Sequence, residues 1–339
     1  MKKVFTLLVG MATLMVSSQA AMAETKIAWS HYTGWEPLGY MQSSGIMQKW
    51  NDKYGTDVTI EYVGDYVDSI TLYASGQYSG VAVTNMDVLA IAGVGGRQST
   101  ALIVGDYSNG NDGLVVKGTD SWNSLPIHLV EYSVSHYLLA RCAESAGVNI
   151  DDLELVNTAD SDIPALVESS DEVVAVSWNP MLKTVRNMKG VETVCTSSEI
   201  PGEIIDMVVV GEEVTDNERM ALVGAWYETM ALMANKDVAV LDELATQAGG
   251  SQVDYVDQLA TTKMFYNAND AVAFTENDQL KQTMRFVVDF SFKVGIYDGV
   301  SDPDELGVRF SDGTVMGDEN NVALDFDTTY MRKAAAGEL

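Results

Sequence analysis

Acidic and aromatic residues gather in the loops that follow the predicted strands. These loops span residues 31–36, 64–65, 85–87, 107–112, 131–136, 177–179 and 199–206. Ligands of open α/β sheets bind outside the carboxyl ends of the strands, so these loops are the candidate binding segments. They carry Trp35, Trp178 and several tyrosines, and none contains a lysine or an arginine. Their acidic residues are Glu36, Asp65, Asp87, Asp112, Glu131, Glu199, Glu203 and Asp206.

Carboxylates and indole rings together suit a polar cation. Carboxylates pair with guanidinium or ammonium groups, and each cation–π contact adds about 0.5–2 kcal/mol. The opposite interpretation starts from helix N-termini, which favour anions, and from Asp65 and Asp87 acting as ordinary helix caps. A sulfonate or nitrate site usually contains at least one basic residue, which these loops lack. We therefore expect a cationic or neutral amidine-type ligand.

The potentially catalytic residues form no familiar motif. Of the three histidines, His128 lies in a strand pattern typical of a packed core residue. Ser133, His136 and Asp206 could be combined into a nucleophilic triad, but no G-x-S-x-G elbow surrounds any serine. H-E-x-x-H spacing and a P-loop are also absent. We expect no catalytic residue, cofactor or metal, and His136 is expected to donate a hydrogen bond to ligand or backbone.

The two cysteines, Cys142 and Cys195, leave two states open. They are too few for a CxxC-type metal site. In an oxidising compartment they could form a disulfide, and otherwise they would be two buried thiols.

The charge and the N-terminus restrict partners and location. The 49 acidic and 20 basic residues give a net charge of −29, which opposes binding to nucleic acid and to anionic lipid surfaces. Lys2 and Lys3 precede an apolar run at 4–16, and an A-x-A cleavage site follows at 21–23. This run is too short to span a bilayer comfortably. We expect cleavage after Ala23 and a protein exported to the periplasm.

Short β-branched runs alternate with amphipathic segments, which is typical of an α/β fold. Pro37 begins a helix predicted to reach Asn51, and Asp65 caps the helix at 65–75. The pattern changes near 118–125 and 197–206, which predicts two crossovers between two lobes with a ligand cleft between them. The predicted organisation is a signal peptide at 1–23, a first lobe at 24–118, a second lobe at 119–206 and a mostly helical return to the first lobe at 207–339. The tail from Val300 is predicted to be irregular up to a last helix near 328–335.

Several stretches resemble the periplasmic solute-binding proteins of ABC importers, in the nitrate/sulfonate/taurine-type branch. The stretches that carry this resemblance are 26–36 (KIAWSHYTGWE) and 61–89 (EYVGDYVDSITLYASGQYSGVAVTNMDVL). Others look like the subgroup associated with urea carboxylase, for which urea and guanidine are plausible substrates. These are 101–118 (ALIVGDYSNGNDGLVVKG), 129–141 (LVEYSVSHYLLAR), 177–180 (SWNP), 197–210 (SSEIPGEIIDMVVV) and 221–233 (ALVGAWYETMALM).

The resemblance implies a type II periplasmic binding protein fold, in which two α/β lobes joined by two crossovers hold a ligand between them. It also implies a membrane permease as partner and a monomer. By position, it implies ligand contacts from Trp35, Glu36, Asp65, Asn85 and Asp87 in the first lobe, from Ser133, His136 and Trp178 in the second, and from Glu203 and Asp206 at the return crossover. We expect the two tryptophans to stack on the ligand. Glu36, Asp65, Asp87 and Asp206 are the expected acceptors of its N–H groups.

The expected function is therefore capture of a small planar nitrogenous compound, guanidine or urea-like and cationic, for an ABC importer. A sulfonate, nitrate or aminopyrimidine ligand is the alternative within the same class. An enzyme on the same fold, similar to the pyrimidine-synthesising proteins that use pyridoxal phosphate on a lysine, is the alternative from another class, although the cleft loops lack lysine. A binding protein that serves a chemotaxis or sensor receptor would have the same sequence features.

Overall fold

The computed structural model describes residues 24–339, so the predicted signal peptide at 1–23 lies outside the described residues. The strands are β1 (Thr25–Trp29), β2 (Val58–Tyr62), β3 (Gly80–Thr84), β4 (Ser99–Ser108), β5 (Asp112–Lys117), β6 (Ile127–Leu129), β7 (Leu155–Asn157), β8 (Val173–Trp178), β9 (Val191–Thr196), β10 (Ile205–Val210), β11 (Thr262–Met264), β12 (Gly307–Arg309), β13 (Val315–Met316) and β14 (Val322–Phe326). The helices are α1 (Glu36–Ser43), α2 (Ile46–Tyr54), α3 (Tyr66–Ala74), α4 (Asn85–Asp87), α5 (Val134–Ala146), α6 (Ile163–Ser169), α7 (Met181–Arg186), α8 (Asp216–Ala234), α9 (Val238–Gln247), α10 (Gln252–Leu259), α11 (Ala268–Thr275), α12 (Asp278–Lys293) and α13 (Thr329–Ala336).

Two sheets divide these elements into two lobes. The nine-stranded sheet has the order β13-β12-β14-β4-β10-β3-β1-β2, with β11 paired to β4 beside this path. The five-stranded sheet has the order β7-β6-β8-β5-β9. We call residues 24–108 and 205–339 the large lobe and residues 112–196 the small lobe. The predicted two-lobed α/β fold class is confirmed.

The central strands are buried along their whole length. Every residue of β8 (VVAVSW) and of β10 (IDMVVV) is buried, as expected of strands in a sheet that helices cover on both faces. Strand β10 runs antiparallel between β3 and β4. Its first residues therefore lie at the sheet edge where β3 and β4 end, which places Asp206 opposite both Thr84 and Asp106.

Two short linkers, residues 109–111 and 197–204, connect the sheets. The Ser197 hydroxyl lies between them, because it accepts hydrogen bonds from the backbone N–H of Gly110 at 2.7 Å and of Asp112 at 3.3 Å. It also forms a 2.7 Å hydrogen bond with the Ser108 hydroxyl. One side chain at the start of the second linker thus holds the first linker in place.

The chain enters the small lobe earlier than predicted. Strand β5, inside the predicted first-lobe range 24–118, pairs with β8 and β9 of the five-stranded sheet. The first linker is therefore at 109–111 and not at 118–125. The local pattern of β5 predicts a strand, but the choice of sheet depends on partners far away in the sequence. The return linker falls within the predicted 197–206.

Two further predictions of local structure were wrong. The helix predicted from Pro37 to Asn51 is broken into α1 and α2 by Gly45, which adopts a left-handed conformation with φ of 79°. The tail, predicted to be irregular, contains β12, β13 and β14, and β14 pairs in parallel with β4. These strands are short, so their alternation is hard to recognise in the sequence. The predicted cap of α3 is present, since Asp65 accepts a hydrogen bond from the Asp68 backbone N–H at 2.9 Å.

The two cysteines form a disulfide. Cys142 of α5 and Cys195 of β9 are bonded, with their Cα atoms 6.1 Å apart, which excludes the alternative of two buried thiols. The bond joins a helix and an edge strand within the small lobe. Within residues 24–339, no helix is both long and apolar enough to cross a membrane.

Candidate ligand-binding cleft

A small cavity lies where the two lobes meet. It is lined by Tyr32, Trp35, Tyr66, Thr84, Asp112, Val134, Trp178, Ile204 and Asp206. None of these residues is basic.

The lining residues come from the element ends that the α/β topology brings together. Thr84 ends β3 and Trp178 ends β8, while Tyr66 and Val134 begin α3 and α5. Asp112 begins β5. The cavity therefore lies at the carboxyl ends of strands, where ligands of open α/β sheets bind.

Aromatic rings form one wall of the cavity. The Trp35 ring is 5.0 Å from Tyr32 and 5.5 Å from Tyr66, measured between centroids. Tyr66 in turn meets Trp178 of the small lobe edge to face at 5.5 Å. Trp178 also donates a hydrogen bond from Nε1 to the His31 carbonyl oxygen of the large lobe at 3.1 Å. The wall is thus built across the boundary between the lobes.

Four aspartates are buried at or beside this cavity. Asp87, Asp106, Asp112 and Asp206 are each at most 2% exposed. Asp112 and Asp206 line the cavity, whereas Asp87 and Asp106 contact lining residues. Such a concentration of buried carboxyl groups is costly unless protons or cations neutralise them.

Several oxygen atoms of this group have no hydrogen-bond partner within residues 24–339. They are Asp87 Oδ1, Asp106 Oδ2, Asp206 Oδ2 and Asn179 Oδ1. The other oxygen of Asp87 accepts hydrogen bonds from the Tyr66 hydroxyl at 2.7 Å and from the Val134 N–H at 3.2 Å. Asp106 Oδ1 accepts from the Tyr32 hydroxyl at 2.9 Å, and Asp112 accepts from the Ser108 hydroxyl. The half-satisfied carboxyls leave free acceptors where the lobes meet.

Burial dominates the ionisation of these aspartates. It raises the pKa of Asp87 to about 6 and that of Asp112 to about 7. Burial, followed by the charge of Asp106, raises the pKa of Asp206 well above its ordinary range. The half-buried Arg186 donates to the Gly110 carbonyl oxygen at 3.2 Å and interacts with Asp112, but it does not line the cavity. The protein thus supplies little positive charge here.

Three of the residues selected from the sequence line the cavity, namely Trp35, Trp178 and Asp206. Asp87 lies directly behind Tyr66 and Val134. Glu36 is buried away from the cavity, where it bonds His31 Nδ1 at 2.7 Å and accepts from Gln247 Nε2 at 2.6 Å.

The other selected residues have structural partners. Asp65 caps α3 and Ser133 caps α5. The Asn85 side chain bonds to the backbone of Glu203 at 3.1 Å and of Ile205 at 3.0 Å.

His136 and Glu203 also face protein groups. Nδ1 of His136 accepts a hydrogen bond from the Tyr132 N–H at 3.3 Å, so the expected donor is an acceptor at this nitrogen. Burial lowers the pKa of His136 to about 4, which keeps the ring neutral. Glu203 is paired with Arg141 at 3.0 Å and accepts from the Tyr137 hydroxyl at 2.6 Å.

Sequence reasoning missed Tyr32, Tyr66 and Asp106 as site residues and did not select Asp112. Asp106 follows the apolar run ALIVG of β4, and an acid directly after a buried strand was the available signal. Within residues 24–339, no group of three or more His, Cys, Asp or Glu side chains could hold a metal ion.

Solved structures share this architecture. The alkanesulfonate-binding protein SsuA from Xanthomonas axonopodis pv. citri, bound to MOPS, matches with a TM-score of 0.68 at 11% identity, over 81% of this chain and 94% of that one. The periplasmic aliphatic sulphonate binding protein SsuA from Escherichia coli matches with a TM-score of 0.64 at 12% identity, over 81% and 94%. The Candida albicans CA3427 gene product, described as having the generic periplasmic binding protein fold, matches with a TM-score of 0.57 at 12% identity, over 81% and 95%.

The chain has the periplasmic binding protein fold. No family model and no curated protein matches its sequence. Identities of 11–12% relate it to these structures through the fold alone. In the periplasmic binding protein fold described above, the cavity occupies the boundary between two lobes joined by two linkers.

Proposed function

We propose that this protein is the periplasmic substrate-binding component of an ABC importer and that it captures a small planar cation of the guanidinium class between its lobes. The observation that carries the proposal is the cavity itself. The carboxyl groups of Asp112 and Asp206 line it, Asp206 keeps one oxygen without a partner among the described residues, aromatic rings form its wall, and no lining residue is basic.

The chemistry of a guanidinium ion suits these groups. It is flat, always charged and surrounded by N–H donors that pair with carboxylates in a bidentate manner. Asp206 and Asp112 would accept its N–H groups, and the charge of Asp87 lies directly behind the cavity wall. The faces of Trp35 and Trp178 would add cation–π attraction of about 0.5–2 kcal/mol each. A cation would also offset the cost of burying the carboxylates.

An anionic ligand such as a sulfonate fits this cavity less well, although sulfonate binders are among the structural neighbours. A helix N-terminus normally attracts anions through its free N–H groups. Here the Asp87 carboxylate already accepts from Val134, the first residue of α5. The protein's own carboxylate therefore occupies the position that an anion would take.

A neutral urea-like ligand is the second candidate. Trp35 lines the cavity, and its Nε1 donor has no hydrogen-bond partner among the described residues. A carbonyl oxygen could accept from this donor while the amide N–H groups meet the carboxylates. Guanidinium lacks such an acceptor, so the indole donor favours urea while the buried charge favours the cation.

Three features support the location and the transport role. The N-terminal pattern predicts export, the disulfide is typical of oxidising compartments, and the fold is shared with periplasmic binding proteins. Ligand contacts from both lobes would favour the closed form, which would dock on the membrane permease as a monomer.

Thermal denaturation of the mature protein with guanidinium chloride, urea, taurine and nitrate tests the proposal. A ligand that binds only the folded state adds about 2.7 kcal/mol at a hundred times its dissociation constant. We expect a rise in Tm with guanidinium or urea at millimolar concentration, and none with sodium chloride at matched ionic strength. A rise in Tm with taurine or nitrate alone would refute a cationic ligand and indicate a binding protein for anions.

A further inference from the structure

Asp106 and Asp206 face each other across neighbouring strands. They are direct partners in the antiparallel register of β4 and β10, and both are buried, at 0% and 2% exposure. Like charges in this arrangement destabilise a sheet. Two carboxyl groups this close ionise one after the other, and between the two steps they hold a single proton.

The surroundings of this carboxyl pair offer it little positive charge. Tyr32 donates a hydrogen bond to Asp106 Oδ1 at 2.9 Å, which stabilises a carboxylate without neutralising it. A side chain at Gly34 would overlap Asp106 Oδ2, so the backbone covers the pair closely on that side. The titratable groups that face the pair or its immediate neighbours are Tyr32, Tyr255, Tyr266, Asp112, Asp87 and Arg186.

Only Arg186 in this set is a cation, and it interacts with Asp112. Each member of the pair keeps one oxygen, Asp106 Oδ2 and Asp206 Oδ2, that no donor within residues 24–339 reaches. The two carboxyl groups are within hydrogen-bonding reach of each other, so a proton on one of them would be donated to the other. Asp206 also lines the cavity, so a cation bound there would lie against the pair.

We propose that Asp106 and Asp206 share one proton in the ligand-free protein and that the bound cation takes its place, so that capture of the ligand releases a proton. The inference rests on the proposed function for the cation and adds Asp106 to its site. In the exchange, the O–H bond of one carboxyl breaks and the proton passes to solvent. The cation then balances the second negative charge.

Burial raises the pKa of both carboxyl groups, which agrees with a proton retained near neutral pH. Proton release makes affinity depend on pH in one direction. While the pair holds its proton, the association constant for the cation increases about tenfold for each pH unit, and it becomes constant once the pair is ionised.

Isothermal titration of the mature protein with guanidinium chloride measures the released protons. Titrations at one pH in buffers of different ionisation heat give the number directly. We expect about one proton per bound cation above pH 7, where Asp87 and Asp112 are ionised and the pair still holds a proton, and a number that declines towards zero at still higher pH. Glu36→Gln removes a buried carboxyl that His31 and Gln247 already satisfy, and we expect it to release the same number as the unaltered protein.

Asp106→Asn provides the variant test, since it removes one member of the pair and leaves Asp206 in the cavity. We expect proton release to fall by at least half and the pH dependence of affinity to flatten. Binding without proton release at every pH would overturn the shared proton and leave the proposed function intact.

Infrared spectra of the ligand-free protein give a readout that does not depend on the ligand. The carbonyl band of a protonated carboxyl at neutral pH should weaken in Asp106→Asn and Asp206→Asn but persist in Glu36→Gln. Absence of binding by guanidinium would reject both the proposed cation and the exchange, and the infrared band would still decide whether the pair holds a proton. Absence of that band in the ligand-free protein would by itself refute the shared proton.

Discussion

Asp87 is the carboxylate that links the two lobes at the cavity. It belongs to α4 of the large lobe and accepts a hydrogen bond from Val134 at the start of α5 in the small lobe. Tyr66 donates to the same oxygen, while Oδ1 has no partner in the described part of the chain. Its role therefore combines contact between the lobes with a buried negative charge directly behind the cavity wall.

The substitution Asp87→Asn should weaken guanidinium binding by at least about tenfold, because it removes a buried negative charge directly behind the cavity wall, and attraction to such a charge contributes on the order of 1–3 kcal/mol. Titration calorimetry measures the change. Asp65→Asn is the matched control, because Asp65 caps α3 and asparagine caps helices equally well. Equal affinities of the two variants for guanidinium would show that Asp87 does not contribute to binding.

For individual residues, the sequence predicts the aromatic wall of the cavity better than it predicts the carboxyl pair. Trp35, Trp178 and Asp206 could be selected because they follow or begin strands. The sequence marks Asp106 only as an acid after an apolar run, and its pairing with Asp206 arises only when β10 inserts between β3 and β4. Glu36 has the right residue type and position, but its side chain turns to His31 and Gln247.

At the scale of elements, the disulfide closes a long segment of the small lobe. Cys142 and Cys195 are 53 residues apart, and β7, α6, β8 and α7 lie between them. The bond restricts the unfolded chain, since this whole segment is a closed loop even after denaturation.

Replacing both cysteines by alanine should lower the free energy of unfolding by about 4 kcal/mol in the chain-entropy description. Urea denaturation with and without reductant measures the effect. Reductant should destabilise the unaltered protein and leave the double variant unchanged. Identical unfolding curves for all four samples would contradict a stabilising bond.

The sequence predicts the order of the strands and helices, but it does not predict which strands pair with each other. The alternation of β-branched runs and amphipathic helices predicts most strands and helices, and the Asp65 cap is where the pattern puts it. The assignment of β5 to the five-stranded sheet and of β14 to the nine-stranded sheet depends on contacts remote in sequence. Gly45 interrupts an amphipathic pattern that by itself would continue.

At the scale of the whole molecule, the buried aspartates couple stability to pH. Burial raises the pKa of Asp87 to about 6 and that of Asp112 to about 7, against 3.8 for an ordinary aspartate. The folded protein therefore binds protons more tightly than the unfolded chain. The resulting stability is fully present below pH 3.8 and is lost as pH rises through 6 and 7.

We expect the free energy of unfolding of the ligand-free protein to fall between pH 3.8 and about pH 7, with Asp87 alone contributing on the order of 3 kcal/mol. Thermal denaturation across this range measures it. The net charge of −29 also opposes folding at higher pH, but salt screens that repulsion and not the buried groups. Stability that rises with pH at high salt would contradict the expectation.

Ser197 determines how the two lobes can move. Its hydroxyl binds Gly110 of the first linker and Ser108 and Asp112 on either side of it, while its backbone begins the second linker. Sliding of one linker past the other would break these bonds. We therefore expect the two linkers to act as one hinge, so that the cleft opens by rotation of the lobes and not by sliding.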